Sequence, residues 1–225
     1  MKILCTSDIH RNPVVAENIL KTLDDENIDV FINAGDFLDN NFAYDFFRKL
    51  KVRSFIVPGN WDSGLSFESK TVSVDSFGLF EHKGYSFLCI GGGLPFEVKE
   101  LLKVVSDIDS EKLIFITHYP PYGILDNAWS NVHAGYAGYR EFVLKKSPCM
   151  HVFGHIHESN GFAKVGSTLA VNSALADYGD GRGYIVDLPG KKIKVVSLNE
   201  KKRNTPFKLQ STISRLAGKR KQDIS

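Results

Sequence analysis

The sequence is poor in cysteine and has no long apolar run, and each shortage excludes a class of protein. Three cysteines among 225 residues, Cys5, Cys89 and Cys149, are too few and too widely spaced for a disulfide framework. They point to a reducing, cytoplasmic setting. No stretch approaches the ~20 consecutive apolar residues that cross a bilayer, so no membrane role is expected. The first apolar run is only Ile3-Leu4-Cys5, with Asp8, His10 and Arg11 close behind, which does not make a signal peptide. Repeats and low-complexity tracts are absent. With 43% hydrophobic and 24% charged residues, disorder and fibrous architectures are excluded as well.

Charge is present in both signs but unevenly placed. From Pro189 onward 11 of the 28 Lys and Arg face only two of the 26 acids, Glu200 and Asp223, so the preceding body carries a net charge of −7. A basic end of this kind is either a solvated, frayed terminus or a contact for polyanions such as nucleic acid.

Five short runs read as buried strands because they are continuously apolar and rich in β-branched or aromatic residues: Ile3–Cys5, Val30–Ile32, Phe55–Val57, Leu113–Ile116 and Met150–Phe153. A sixth strand is expected over Tyr85–Ile90. Helical spacing marks Pro13 to Leu23, where Val14, Val15, Ile19 and Leu20 share a face and Pro13 suits a first turn. Asn41 to Leu50, Val98 to Val105 and Tyr139 to Lys145 also read as helices. Strand–helix alternation predicts an α/β fold with largely parallel pairing. Thr168–Val171, Gly183–Leu188 and Ile193–Leu198, separated by Asp180-Gly181 and Pro189-Gly190, predict a late antiparallel meander and hence mixed sheets. A last helix is expected from about Pro206 to Leu216. No linker divides the chain, so residues 1–200 read as one domain and 201–225 as a basic, partly helical tail.

The chemistry is carried just beyond the end of each strand. The first run leads to Asp8 and His10, the second to Asp36, the third to Asn60-Trp61-Asp62, the fourth to His118, and the fifth to His155 and His157. Ligands of open α/β sheets bind just outside that edge. Four of the seven histidines fall there. Asp, Asn and His offer hard oxygen and imidazole nitrogen to divalent metals, and no cysteine joins the set, so a Cys-rich zinc site is not expected. Seven ligands are too many for one tetrahedral ion and suit two ions sharing a carboxylate. Such pairs, ~3.5–4 Å apart, serve phosphoryl-ester hydrolysis.

In this arrangement the sequence resembles the calcineurin-like metallophosphoesterases, and its small size is most like their compact prokaryotic phosphodiesterase branch. The resemblance rests on Asp8-x-His10, Gly35-Asp36-x-x-Asp39, Gly59-Asn60-Trp61-Asp62, His118 and Gly154-His155-x-His157, and runs from residue 3 to about Leu198. It implies a sandwich of two mixed sheets flanked by helices. It also implies that Asp8, His10 and His157 hold one divalent ion and Asn60, His118 and His155 a second, with Asp36 bridging. A metal-bridging hydroxide would then attack the phosphorus of a phosphoester substrate. The donor set suits Mn²⁺, Fe, Ni²⁺ or Zn²⁺.

One position departs from the family pattern. The histidine that comes after Gly-Asn in many members, and assists leaving-group protonation, is Trp61 here. Indole can only donate a hydrogen bond, so general-acid help of ~10²–10⁴-fold has to come from elsewhere. Asp39, which in the family supports that histidine, loses its usual partner. His133, in the Gly- and Tyr-rich loop after His118, is the replacement acid to consider; alternatively Trp61 stacks on an aromatic substrate. Substrate contacts are expected from the loops at Leu65–Phe67 and Leu125–Tyr139. His82 reads as a turn residue, His151 as a packed core histidine, and Gly91-Gly92-Gly93 as a tight turn. The leading expectation is a dinuclear phosphodiesterase. A catalytically weak scaffold for protein binding and a nuclease gripping its substrate with the tail stand beside it.

Overall fold

Strand Lys2–Thr6 (β1) shows how the layers arise. Ile3 and Cys5 point into one apolar cluster and Leu4 into another, and all three are fully buried. A strand covered on both faces reads as a continuous apolar run rather than an alternating one. The computed structural model describes residues 1–92, 97–129, 131–175 and 181–199. After β1 come α1 (Pro13–Asp25), β2 (Val30–Asn33), α2 (Asn40–Phe47), β3 (Arg53–Ile56), β4 (Phe67–Glu68), β5 (Val72–Val74), β6 (Phe77–His82) and β7 (Tyr85–Ile90). Next are α3 (Val98–Val104), β8 (Leu113–Thr117), α4 (Ala137–Lys146), β9 (Met150–Phe153), β10 (Gly161–Val165), β11 (Thr168–Asn172), β12 (Arg182–Asp187) and β13 (Lys192–Ser197).

Two mixed sheets result. One is ordered β13-β12-β1-β2-β3-β5-β4 and the other β10-β11-β9-β8-β7-β6. Ile3, Cys5, Val30, Ile32 and Phe55 from the first sheet meet Phe87, Ile114, Ile116, Met150 and Val152 from the second in a shared core. The opposite face of the first sheet packs Leu4, Phe31 and Ile56 on Ile19 and Leu23 of α1 and Phe46 and Phe47 of α2. The opposite face of the second packs Leu88 and Phe115 on Leu101 of α3 and Phe142 and Val143 of α4. Each fully buried Leu, Ile or Phe of this kind contributes ~1.5–3 kcal/mol of hydrophobic stabilisation. The expected sandwich of mixed sheets between helices is the observed architecture.

The helices start where their caps dictate. Asn12 accepts from the backbone N–H groups of Val14 and Val15 ahead of Pro13, and Asp39 accepts from Phe42 N–H at 2.8 Å ahead of α2. Helix α2 therefore begins at Asn40 and ends at Phe47, three residues short of the expected Leu50.

The late meander needs correction. β12 and β13 do form an antiparallel hairpin, but β11 lies in the other sheet, parallel to β9 and antiparallel to β10. Chain proximity suggested a partner that the parallel β9–β11 ladder takes instead. His82 is also corrected: it closes β6, opposite Tyr85, and the turn itself is Lys83-Gly84. Phe67, expected in a substrate loop, opens β4, and Leu65 is buried. The helix expected at 206–216 and the basic tail 201–225 lie outside the described residues.

Candidate metal centre

The parallel ladder between β1 and β2 does not stop where the strands stop. Asp8 N–H donates to Gly35 O at 2.7 Å, His10 N–H to Asp36 O at 3.1 Å and Arg11 N–H to Phe37 O at 3.1 Å. To continue, the chain takes left-handed backbone at Asp8 (φ 57°), His10 (49°) and Asp36 (62°), and His155 does the same at 69°. Each such non-glycine residue costs on the order of 1 kcal/mol, and strain of this kind gathers at functional sites. Gly59 permits a close approach, since a Cβ there would lie 2.0 Å from Asp36 Oδ1.

The two aspartates are held in the same way. Asp8 Oδ2 accepts from His155 N–H at 3.0 Å, while its Oδ1 faces His157 Nε2 at 3.3 Å and His10 Nε2 at 3.8 Å. Asp36 Oδ1 accepts from Trp61 N–H at 3.1 Å, while its Oδ2 faces His118 Nε2 at 3.6 Å and His10 Nε2 at 3.9 Å. One oxygen of each carboxylate is thus fixed by backbone and the other is turned toward imidazoles. Ligating atoms of Asp8, His10 and His157 lie within 4.8 Å of one another, and so do those of Asp36, His118 and His155. Asp36 Oδ2 stands between the two groups.

Asn60 joins the second group through His118, whose Nε2 lies 2.8 Å from Asn60 Oδ1. His118 Nδ1 donates to Ala34 O at 2.7 Å, which turns Nε2 toward Asn60 Oδ1. His118 Nε2 and Asn60 Oδ1 converge closely enough for one cation to take both as ligands. Asp8 Oδ1, buried with the imidazole nitrogens of His157 and His10 facing it, points to the same conclusion. Burial pushes the Asp8 carboxyl up, but the imidazoles of His10, His157 and His118 outweigh it and hold the group well below the usual carboxylate range. Burial, aided by His118, pushes His155 down to about 4. An ionised carboxylate and neutral imidazoles are the forms that bind metal. The residues present fit a pair of divalent ions.

Asp62 braces this arrangement from behind. Its Oδ2 accepts from Asp36 N–H at 2.7 Å and Gly59 N–H at 2.9 Å, and its Oδ1 from Phe37 N–H at 2.8 Å and Leu38 N–H at 3.1 Å. Burial pushes the Asp62 carboxyl up against the pull of these donors. Asp39 is not part of this brace: its Oδ1 caps α2. The Trp61 side chain is 68% exposed, so the position serves Asp36 through its backbone alone.

His133 belongs to neither candidate group and has a partner that the sequence did not reveal. Its Nδ1 meets Asp126 Oδ1 at 2.7 Å, and Asp126 Oδ2 accepts from Gly123 N–H at 2.8 Å and Gly135 N–H at 3.0 Å. His151 is the expected core histidine, stacked on Phe115 at 4.4 Å. Gly91 is the expected tight approach, since a Cβ would meet Pro58 at 2.5 Å.

The family model for calcineurin-like phosphoesterase matches residues 1–159. The chain belongs to that family. Among curated proteins it is similar to the UPF0046 protein K07C11.7 of Caenorhabditis elegans, with 26% identity over 80% of this chain and 71% of that one. Among solved structures, TT1561 of Thermus thermophilus superposes with a TM-score of 0.65 at 16% identity, covering 88% of this chain and 99% of that one. An archaeal phosphodiesterase gives a TM-score of 0.59 at 20% identity with the same coverage. These likenesses establish a calcineurin-like phosphoesterase fold whose matched region, residues 1–159, ends just after the last candidate ligand, His157.

Proposed function

We propose that this calcineurin-like phosphoesterase is a dinuclear metal-dependent phosphodiesterase. Asp8, His10 and His157 would hold one ion, Asn60, His118 and His155 the other, and Asp36 would bridge them. The observation that carries the reading is the position of Asp36 Oδ2, 3.9 Å from an imidazole of one group and 3.6 Å from an imidazole of the other. Bound divalent ions would supply a deprotonated water for attack and neutralise charge on the phosphoryl oxygens. The chain's part is to present ligands that are already oriented. Backbone donors at His155 and Trp61 set the free oxygen of each aspartate, and the Ala34 carbonyl fixes the His118 tautomer.

With Trp61 after Asn60, no imidazole at that position can protonate a poor leaving group, so the proton has to come from another group. The seven donors suit Mn²⁺, Fe, Ni²⁺ or Zn²⁺. Three buried free thiols accord with a reducing, cytoplasmic setting. The test is hydrolysis of bis-p-nitrophenyl phosphate against p-nitrophenyl phosphate after metal reconstitution, with Asp36→Ala and His118→Ala as controls. Diester cleavage that both substitutions abolish supports the reading. Cleavage of neither ester, with no metal bound, would favour a scaffold; salt-sensitive binding of DNA or RNA would favour a nuclease.

A further inference from the structure

The loop between β8 and α4 leaves the sheet directly from His118 and is fastened along its length. Its ends are zipped together where Tyr136 N–H donates to Pro120 O at 2.8 Å and Tyr122 N–H to Tyr136 O at 3.1 Å. Its far side is tied to the segment that carries His155 and His157. Ser159 Oγ donates to Asn127 O at 2.9 Å, and the Asn172 amide donates to both Leu125 O and Ile156 O. The loop is therefore flanked by both chain segments that bring ligand histidines from the second sheet.

At its centre is a buried carboxylate serving an exposed imidazole. The Asp126 side chain is 1% exposed and that of His133 is 44% exposed. The Gly123 and Gly135 N–H groups occupy Asp126 Oδ2, leaving Oδ1 to His133 Nδ1. Alignment on that carboxylate commits Nδ1–H and leaves Nε2 as the exchangeable position. The ring also packs against Tyr122 at 5.3 Å between centroids. A surface histidine kept only for solubility does not need a buried acid behind it, and desolvating that acid is costly.

We propose that the Asp126–His133 pair supplies the leaving-group proton that position 61 cannot. The inference rests on the phosphodiesterase reading above. As the oxygen of the attacking water, its proton lost to solvent, bonds to phosphorus, the bond to the leaving oxygen breaks and its electron pair stays on that oxygen. Nε2–H of the imidazolium gives the oxygen its proton. The ring ends neutral with Nδ1–H still on Asp126 and regains a proton from solvent, so one water is consumed and one alcohol released. His133 is the catalytic residue and Asp126 positions it.

The test compares methyl p-nitrophenyl phosphate with methyl phenyl phosphate, whose phenolate is the poorer leaving group, in the reconstituted enzyme. His133→Gln is expected to lower kcat/KM on the phenyl ester by ~10²-fold or more and on the p-nitrophenyl ester by less than about tenfold. Asp126→Asn should shift the ratio in the same direction. A second readout needs no metal: nitrogen NMR of the metal-free protein, at a pH where the ring is neutral, should show His133 as the Nδ1–H tautomer, lost in Asp126→Asn. Equal losses on both esters in His133→Gln, or an Nε2–H tautomer in the wild type, would overturn the proposal while leaving the phosphodiesterase standing. A wild-type enzyme that cleaves neither ester with any metal removes both.

Discussion

The Asp62 carboxylate reaches back 26 residues to accept the backbone N–H of Asp36 at 2.7 Å. With Phe37, Leu38 and Gly59 it gathers four N–H groups on two oxygens. This is what keeps Asp36 in left-handed backbone at φ 62° with its side chain turned to the imidazoles. Each buried donor left without a partner costs about 1–3 kcal/mol. Asp62→Ala is accordingly expected to lower stability by about 3 kcal/mol or more. The same substitution should weaken metal binding, although Asp62 touches no ligand atom. Urea unfolding of the metal-free protein measures the first effect and metal content after dialysis the second. Full stability with weakened binding would mean that solvent replaces the carboxylate.

The two aspartates differ in what their removal should do. Asp8 Oδ1 faces only His157 and His10, whereas Asp36 Oδ2 faces an imidazole from each group. Asp8→Ala is expected to cost one of two bound ions, and Asp36→Ala to weaken both. Elemental analysis of reconstituted, dialysed protein reads the stoichiometry directly. Identical stoichiometries in the two variants would contradict the bridging role of Asp36.

The candidate ligands were legible in the sequence because each comes within a few residues of a strand with a buried apolar run. Ile3, Leu4 and Cys5 announce β1, and Asp8 and His10 come next in the chain. Strand β6 carried no such signal. Phe77–His82 alternates exposed and half-buried residues and owes its form to pairing with β7. The place of β11 was equally hidden, since parallel pairing with β9 leaves no mark on the residues between them. Asp126 was missed for a related reason. It meets His133 across a hairpin closed by Ala134 N–H to Asp126 O, a contact that obeys neither a helical nor a strand period. The capping role of Asp39 was not legible either, because it depends on where α2 starts.

His151 predicts how stability depends on pH. Thr117 donates its hydroxyl to Tyr119 O, so its oxygen accepts Nε2–H of His151 at 2.9 Å. Nδ1 is buried without a hydrogen-bond partner, and a proton added there would have no acceptor. Burial pushes this imidazole from its ordinary 6.5 down to about 3. The unfolded chain thus binds a proton that the folded one refuses, and the contribution to stability is complete above pH 6.5 and lost as pH falls toward 3. His151→Phe should flatten the stability curve in that window, removing a slope worth a few kcal/mol across it. Denaturant midpoints at several pH values, taken on metal-free protein, measure the difference. An unchanged slope would assign the acid sensitivity to the other buried groups.

Trp61 separates a backbone role from a side-chain role. Its N–H holds Asp36 Oδ1 at 3.1 Å while the indole is 68% exposed. Trp61→Ala keeps the N–H, so metal content should be unchanged and stability should move by no more than about 0.5 kcal/mol. If the indole stacks on the aryl group of a diester, the same variant should raise KM for bis-p-nitrophenyl phosphate several-fold and leave kcat near its original value. Trp61→Pro removes the donor itself and should lower metal content. Kinetics and metal analysis on the two variants decide between the roles. Loss of metal in both would mean that the indole, despite its exposure, shapes the centre that its backbone serves.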